Sequence, residues 1–488
     1  MQFSNISELP DDYQPSYVPE KLGVGIVHLG LGSFHKAHQA TLTHQVLQQQ
    51  PDAWRIFGVS LRSKQPKKDL LPQNCLFTLV SKGQAGAKYE VIASIADAAC
   101  LVDDFDKVLA NLASEKTKIV TITVTEKAYG LDRLNNGCDE THSAISHDLE
   151  NPSHPVGVIG LLVLALKRRY DDDIEPFTVL CCDNLPENGK LLRSAVIDFA
   201  FRNDKDLAAW ISANVAFPST MVDRITPAPT PETQKEVQQV MGILDNAAVE
   251  TEEFCQWVIE DNFPSGRPNW DLAGAVFTDD VAKFERMKLR MLNGSHSMLA
   301  YTGFHCGLQY VRDVMNDASM VKLITRHLRA ALATLDEIDG IDFNEYANEL
   351  LQRFRNPSIA HETFQIAMDG SEKMPQRIFE PAFSGRLSPE LKRPYVFATA
   401  AWLRHISGSI HDCDDYILRD PISQKLSEID LISGRKKLVR QLEDIGLINN
   451  EMAADTAYWS DVYKLLEEML ACSMVDVVNK ETSFCKIE

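Results

Sequence analysis

The segment "KLRMLNGSH", Lys288 to His296, places a lysine, an asparagine and a histidine inside an otherwise apolar helical stretch. On an α-helix the three positions fall within an arc of about 140°, so they can face one cavity while Leu289, Met291 and Leu292 help to pack the segment. The chemistry is coherent. A partly buried lysine loses proton affinity by desolvation and can act as a general base, an asparagine amide can steady an alkoxide or carbonyl oxygen, and a histidine can hydrogen-bond a neighbouring oxygen. The plainer alternative gives Lys288 a snorkelling role, reads Asn293-Gly294 as a helix end or kink, and makes His296 a satisfied core histidine.

An element that positions a cofactor for such chemistry lies near the N-terminus. In "GVGIVHLGLGSFHKAHQATLTHQVL" a β-like run, Val24 to Leu29, meets Gly30-Leu31-Gly32 and then a helical pattern. Gly30 permits a tight turn, and Gly32 lets backbone approach a pyrophosphate at a helix N-terminus, where unpaired amides favour negative charge. His35 stands where the GxGxxG pattern has its third glycine, and an ordinary βα turn accounts for the same residues. A second strand, "WRIFGVSLRS", follows at the spacing of a dinucleotide fold. It ends on Arg62, with Lys64, Lys67 and Lys68 beyond, where an acidic residue normally holds the adenosine ribose. That end reads as tolerance of a 2'-phosphate or as a solvated basic loop.

Further strand-like runs, "KIVTITVTEKAY" and "FTVLCCDNL", alternate with helical spacing such as Val156 to Lys167, predicting an α/β fold with a mostly parallel, Rossmann-like sheet. Ligands in such sheets bind beyond the strand C-termini, which points to Thr125, Glu126, Lys127, Asp183 and Asn184; each reads equally as a turn residue satisfying loop backbone. From about Phe284 helical periodicity takes over, in "DASMVKLITRHLRAALATL", "FNEYANELLQRFRN", "RPYVFATAAWLRHI" and "DVYKLLEEMLACSMVDVV". The expected organisation is a dinucleotide-binding domain over 1–283 and a mainly helical substrate domain over 284–488.

The 488 residues are 44% hydrophobic and 24% charged, ordinary for globular protein, and carry a net charge of −20. That charge argues against nucleic-acid binding, and a small-molecule ligand becomes the expectation; an anionic one requires local positive charge against the field of the whole chain. No apolar run reaches the roughly 18 residues of a membrane span, and Met1 to Glu20 lacks a basic region followed by an apolar one, so a cytoplasmic protein without membrane partners is expected. Ten cysteines in a chain of this length make no disulfide framework, and the pair Cys181-Cys182 sits in an apolar run. His35 and His38 form an HxxH without a visible third ligand, and no metal is expected. A monomer or homodimer is expected.

Several segments together resemble the mannitol dehydrogenase family of polyol-specific long-chain dehydrogenases. Lys-x4-Asn-x2-His in "KLRMLNGSH" matches its catalytic motif, "GLGSFHKAHQA" its nucleotide loop and "AFPSTMVDRITP" its signature around Val-Asp-Arg; "FCQWVIEDNFPSGRPNW" and "CCDNLPENG" are similar to further family segments. The resemblance implies an NAD-dependent, metal-free oxidoreductase, with NADP left open by Arg62. It implies Lys288 as general base, Asn184 and Asn293 as the pair that stabilises the substrate oxyanion, and His296 as the residue that orients substrate. Glu285 is implied to pass the released proton to solvent. Gly30, Gly32, Ser33, Phe34, Thr125 and Glu126 are implied at the cofactor, and Asp223 near the nicotinamide. Within the family the fructuronate-reducing branch is most similar, through "HETFQIAMDGSEKMPQR" with Gln365 and "TVTEKAYG"; mannitol-oxidising and tagaturonate-reducing members resemble the chain nearly as much. A sugar acid needs a cation for its carboxylate, which Lys373 or Arg377 can supply; the alternative is that both cap helices or pair at the surface. A reading of another class is a nucleotide-binding sensor without turnover.

Overall fold

The computed structural model describes residues 9–133, 135–409 and 415–483. The first eight residues of the N-terminal stretch read above, and Cys413 and Cys485, lie outside them. The chain divides into two compact units, Met1–Ala282 and Lys283–Glu488.

The first unit is built on five strands: β1 Val24–Leu29, β2 Arg55–Ser60, β3 Ile95–Cys100, β4 Ile119–Ile122 and β5 Thr178–Cys181. They pair parallel throughout, in the order β3-β2-β1-β4-β5, so the order reverses between β1 and β4. Helices cover both faces, which is why the strands are continuous apolar runs rather than alternating ones. Val27, Leu29, Val120, Ile122 and Val179 pack into one apolar layer with the helices Phe105–Ala113, Val158–Asp171 and Asn188–Asn203. Ile26, Ile56, Ile119 and Leu180 pack into the opposite layer, against Leu42, Val46, Trp257 and Trp270. Cys181 and Cys182 belong to different layers, as successive residues of an extended strand must, and the eight described cysteines are free thiols.

Two small sheets complete this unit. Phe77–Gly83 and Gly86–Ile92 form an antiparallel hairpin with Val249–Glu252 alongside the first. Strand β6 Thr220–Asp223 runs antiparallel to β7 Gln256–Glu260, which pairs parallel with β8 Val276–Thr278.

The second unit is helical. Its centre is Gly294–His305, buried on nearly every side and packed against Ala318–Leu332, Thr363–Ala367 and Pro389–Ile406. The stretch read as one helix over 461–478 is two, Thr456–Ala471 and Met474–Ser483, because Cys472 turns extended and Ser473 Oγ accepts the Asp476 amide at 3.2 Å to start the second. That last described helix carries a buried carboxylate: Glu481, 4% exposed, accepts two hydrogen bonds from Arg393, at 2.6 and 3.0 Å, and one from Arg326. Among the described residues no helix is long and apolar enough to cross a membrane.

Candidate active site

At the reversal point of the sheet the backbone is shaped for a ligand beyond the strand ends. Gly30 has φ of 105°, and a Cβ there would lie 2.0 Å from the carbonyl oxygen of Thr123, so β1 and β4 can touch at this point only through a residue without a side chain. Gly32 differs. Its φ of −134° suits any residue, and a Cβ would meet only the Gly30 carbonyl, at 3.6 Å. Protein packing therefore gives no reason for a glycine here, whereas a pyrophosphate approaching the start of the helical stretch 33–49 does. The residues fit a dinucleotide.

The loop is supported from below by histidines. His28 is bracketed by Thr121 Oγ1 at 2.8 Å and Thr123 Oγ1 at 3.0 Å, and His35 stacks on it with ring centroids 3.4 Å apart. Burial pushes the His28 imidazole down to about 3, and burial with the neighbouring His28 holds His35 well below the usual range. Both rings are neutral packing elements, and His35 fills the space that a third glycine would leave open. His38 turns elsewhere, Nε2 lying 3.0 Å from the Gln256 carbonyl. Ser33 and Phe34 are half-buried at the helix start, Phe34 stacking on His38 at 5.1 Å. Beyond β4, Thr125 is exposed and held at φ of 75°, a strained conformation for a β-branched residue. Asp183 explains how: its carboxylate accepts the Val124 amide at 2.8 Å, the Thr125 amide at 3.3 Å and the Tyr129 hydroxyl at 2.7 Å. Asp183 is thus the loop-holding residue of its pair, while Asn184 and Glu126 are exposed.

At the end of β2, Lys64 pairs with Asp103 and Lys67 with Asp104, both at 2.6 Å, so the basic loop is largely offset, with Arg62 exposed beside it. Asp223, 4% exposed, ends β6. The next residue, Arg224, donates to the carbonyl of Ala37, just after the glycine loop, and to that of Glu252 at 3.1 Å. Arg224 and Asp183 are positioning residues: the sequence pointed to Asp183 as placed for the site, with a turn residue as the alternative, and passed over Arg224, although it stands in the quoted segment around Val-Asp-Arg.

In the second unit, Lys288 to Asn293 is a π-helical turn joining the α-helices Val281–Met287 and Gly294–His305. This corrects the α-helical projection. Hydrogen bonds of a π turn run between residues five apart, so Lys288 and Asn293 occupy neighbouring places on one face, as residues four apart do in an α-helix. The chain continues through Gly294 without the kink that Asn-Gly suggested. Lys288 and His296 are buried, while Glu285, one turn before the lysine, and Asn293 are half-buried. Gly294 allows a close approach: a Cβ there would lie 3.1 Å from the carbonyl of Arg377. Arg377 itself lies in another π turn, Pro375–Phe379, and donates to Ser297 Oγ at 3.2 Å.

Aromatic rings and two arginines lie about His296. Its ring stacks on Phe354 at 4.5 Å and meets His361 edge-on at 5.5 Å. Burial, then His361, Arg353 and Arg377, hold its proton affinity well below the usual histidine range, so it acts as a neutral donor or acceptor. Burial, then Arg377, push the Lys373 ammonium down to about 8. Lys373 donates to the carbonyls of Ile366 at 3.2 Å and Met368 at 2.6 Å, where the helix Thr363–Ala367 ends; this is the helix-capping alternative, and it engages two of three N–H groups. Gln365 is exposed on that helix.

Comparison with known proteins gives the family. The Rossmann-domain model of mannitol dehydrogenase matches residues 24–272 and the C-terminal-domain model residues 280–470. D-mannonate oxidoreductase of Escherichia coli is 41% identical, over 85% of this chain and 87% of its own. Mannitol 2-dehydrogenase of Pyricularia oryzae is 34% identical, over 93% and 92%. The solved ternary complex of Pseudomonas fluorescens mannitol 2-dehydrogenase with NAD and D-mannitol superposes with a TM-score of 0.86 at 32% identity, covering 99% of this chain and 100% of that one. A parallel sheet with a glycine turn at its reversal point, and a lysine and asparagine brought to one face by a π turn, are carried by a chain that both family models match across nearly its full length: it belongs to the mannitol dehydrogenase family.

Proposed function

We propose that this oxidoreductase interconverts D-fructuronate and D-mannonate with NAD(H), without a metal. The observation that carries the sugar-acid reading is the placing of Arg353 and Arg377 about His296, with Lys373 acting on the adjoining His361, in a chain of net charge −20. A neutral polyol gives no reason for that concentration; a carboxylate does. The 41% identity to a D-mannonate oxidoreductase supports the same reading.

In this proposal Lys288 donates a proton to the substrate oxygen as its carbonyl becomes an alcohol, and removes it in the reverse direction. Asn293 and Asn184 are the proposed donors to that oxygen while it carries charge. Neutral His296 orients the sugar by hydrogen bonding, and Glu285 passes the proton between Lys288 and solvent. The cofactor, when bound, supplies or accepts the hydride; Gly30, Gly32, Ser33, Phe34, Arg62, Thr125, Glu126 and Asp223 are its proposed contacts. NAD is preferred over NADP because Asp103 and Asp104 offset the lysines beside Arg62. Lys373 and Arg377, with Gln365, are the proposed substrate-binding group, in a cytoplasmic enzyme active as monomer or homodimer.

A second reading, fructose and mannitol as substrates, is favoured by the engagement of Lys373 with two carbonyls and by the mannitol 2-dehydrogenase relatives. Initial rates of NADH oxidation with D-fructuronate and D-fructose at matched concentrations decide between them, with NADPH tried on the better substrate. A large preference for fructuronate is expected; a preference for fructose would overturn the sugar-acid reading.

A further inference from the structure

His361 opens the quoted segment "HETFQIAMDGSEKMPQR" but was given no role there, yet its backbone is held in place by the fold. Its backbone is pinned along the segment 308–311. The His361 carbonyl accepts the Val311 amide at 3.0 Å, Glu362 bridges to Tyr310, and two residues on, Thr363 donates its amide to the Gln309 carbonyl at 2.9 Å and its hydroxyl to the Leu308 carbonyl at 2.8 Å. A ring on a segment pinned this way has little freedom left to lose on binding, which is the condition for a preorganised contact.

The clamped ring meets His296, the residue proposed to orient substrate, edge to face at 5.5 Å. Its Nδ1 is buried and has no hydrogen-bond partner among the described residues. A buried polar atom without a partner costs free energy unless a ligand satisfies it. The surroundings say what kind of ligand. The charge of Lys373 acts on His361, and those of Arg353 and Arg377 act on His296 beside it, so an anionic acceptor is the one that this environment rewards.

We propose that His361 is a specificity-determining residue, whose ring hydrogen-bonds the carboxylate of a sugar-acid substrate and makes the second unit prefer that substrate to the neutral sugar of the same length. The proposal rests on the sugar-acid reading above, and deepens it by assigning the selection to a residue outside the catalytic helix. Lys373 and Arg377 supply charge to the same carboxylate, but each is already bonded to protein, Lys373 to two carbonyls and Arg377 to Ser297. His361 supplies an unsatisfied hydrogen-bonding atom at a fixed place.

The test is steady-state kinetics of the full-length enzyme with NADH, on D-fructuronate and D-fructose, for the native chain and for His361→Ala and His361→Gln. The expected result for His361→Ala is a KM for fructuronate raised about tenfold, with kcat and the KM for fructose within about twofold of the native values. His361→Gln, which keeps a neutral donor, is expected to restore most of the fructuronate KM and guards against a fold lost with the ring. Equal losses on both substrates with a fall in kcat would show a merely structural ring and overturn the proposal. An unchanged preference for fructuronate in His361→Ala would overturn it too while leaving the sugar-acid reading intact. If the native enzyme itself prefers fructose, the sugar-acid reading fails first, and the proposal with it.

Discussion

At the end of β1 the proposed functional groups are backbone, and the sequence makes room for them by leaving side chains out: Gly30 so that two strands can meet, Gly32 where a ligand is proposed to approach. In the helical unit the proposed functional groups are side chains, and the backbone makes room for them by winding more widely, through the π turns that carry Lys288, Asn293 and Arg377. The first device is visible in composition, because only glycine has no Cβ. The second is not, because π and α turns draw on the same residues. Function in one half is thus written in which residues are missing, and in the other in how many stand between two that are present.

The contrast can be broken at its strongest point by Lys288→Ala. It is expected to lower kcat about a thousandfold, the scale of a lost acid-base group, while NADH affinity, followed by fluorescence titration, stays within about twofold. Near-normal turnover would sink the mechanism, and a parallel loss of NADH affinity would end the separation of roles. Next in size, Gly30→Ala forces a side chain into the Thr123 carbonyl at positive φ and is expected to destabilise the first unit by about 3 kcal/mol, read by urea denaturation. Gly32→Ala sharpens the comparison: stability should move by no more than about 0.5 kcal/mol, while the Kd for NADH rises about tenfold. If Gly32→Ala leaves the Kd unchanged, the open space beside that glycine serves no pyrophosphate.

The smallest effect concerns pH. Burial, reinforced by Arg377, pushes Lys373 down from its ordinary value to about 8, so the ammonium is charged below that pH and lost above it. The KM for a sugar acid should therefore rise, about threefold between pH of roughly 7 and 9, and the KM for a neutral sugar should stay flat. A sugar-acid KM that falls over the same range would remove Lys373 from substrate binding.

Much of the parallel sheet was legible because buried parallel strands are unbroken apolar runs, and Val24 to Leu29, ended by a glycine turn, leaves few alternatives. The hairpin of Phe77–Gly83 and Gly86–Ile92 was not read, although Gly86, at φ of 120°, directly follows its two-residue turn Gln84-Ala85. The long helices stood out by period. The break at Cys472 did not, since neither glycine nor proline marks it, yet Ser473 and Asp476 in "SMVD" have the spacing of a helix start. In the site, motif spacing reached Lys288, Asn293 and His296, but not the residues that work by holding others. Asp183 was named but could not be told from a turn residue, which in form it is, and His361 stood without a role at the head of "HETFQIAMDGSEKMPQR", its missing partner being a property of three dimensions.

One feature of the helical unit bears on its synthesis. Arg326 and Arg393 reach across two helices to the buried carboxylate of Glu481, in the last described helix. Until residue 481 has emerged from the ribosome, both guanidiniums lack the anion that they are built around. A chain that ends before that helix leaves both partly buried guanidiniums without their shared carboxylate, and is expected to be less stable than the full chain.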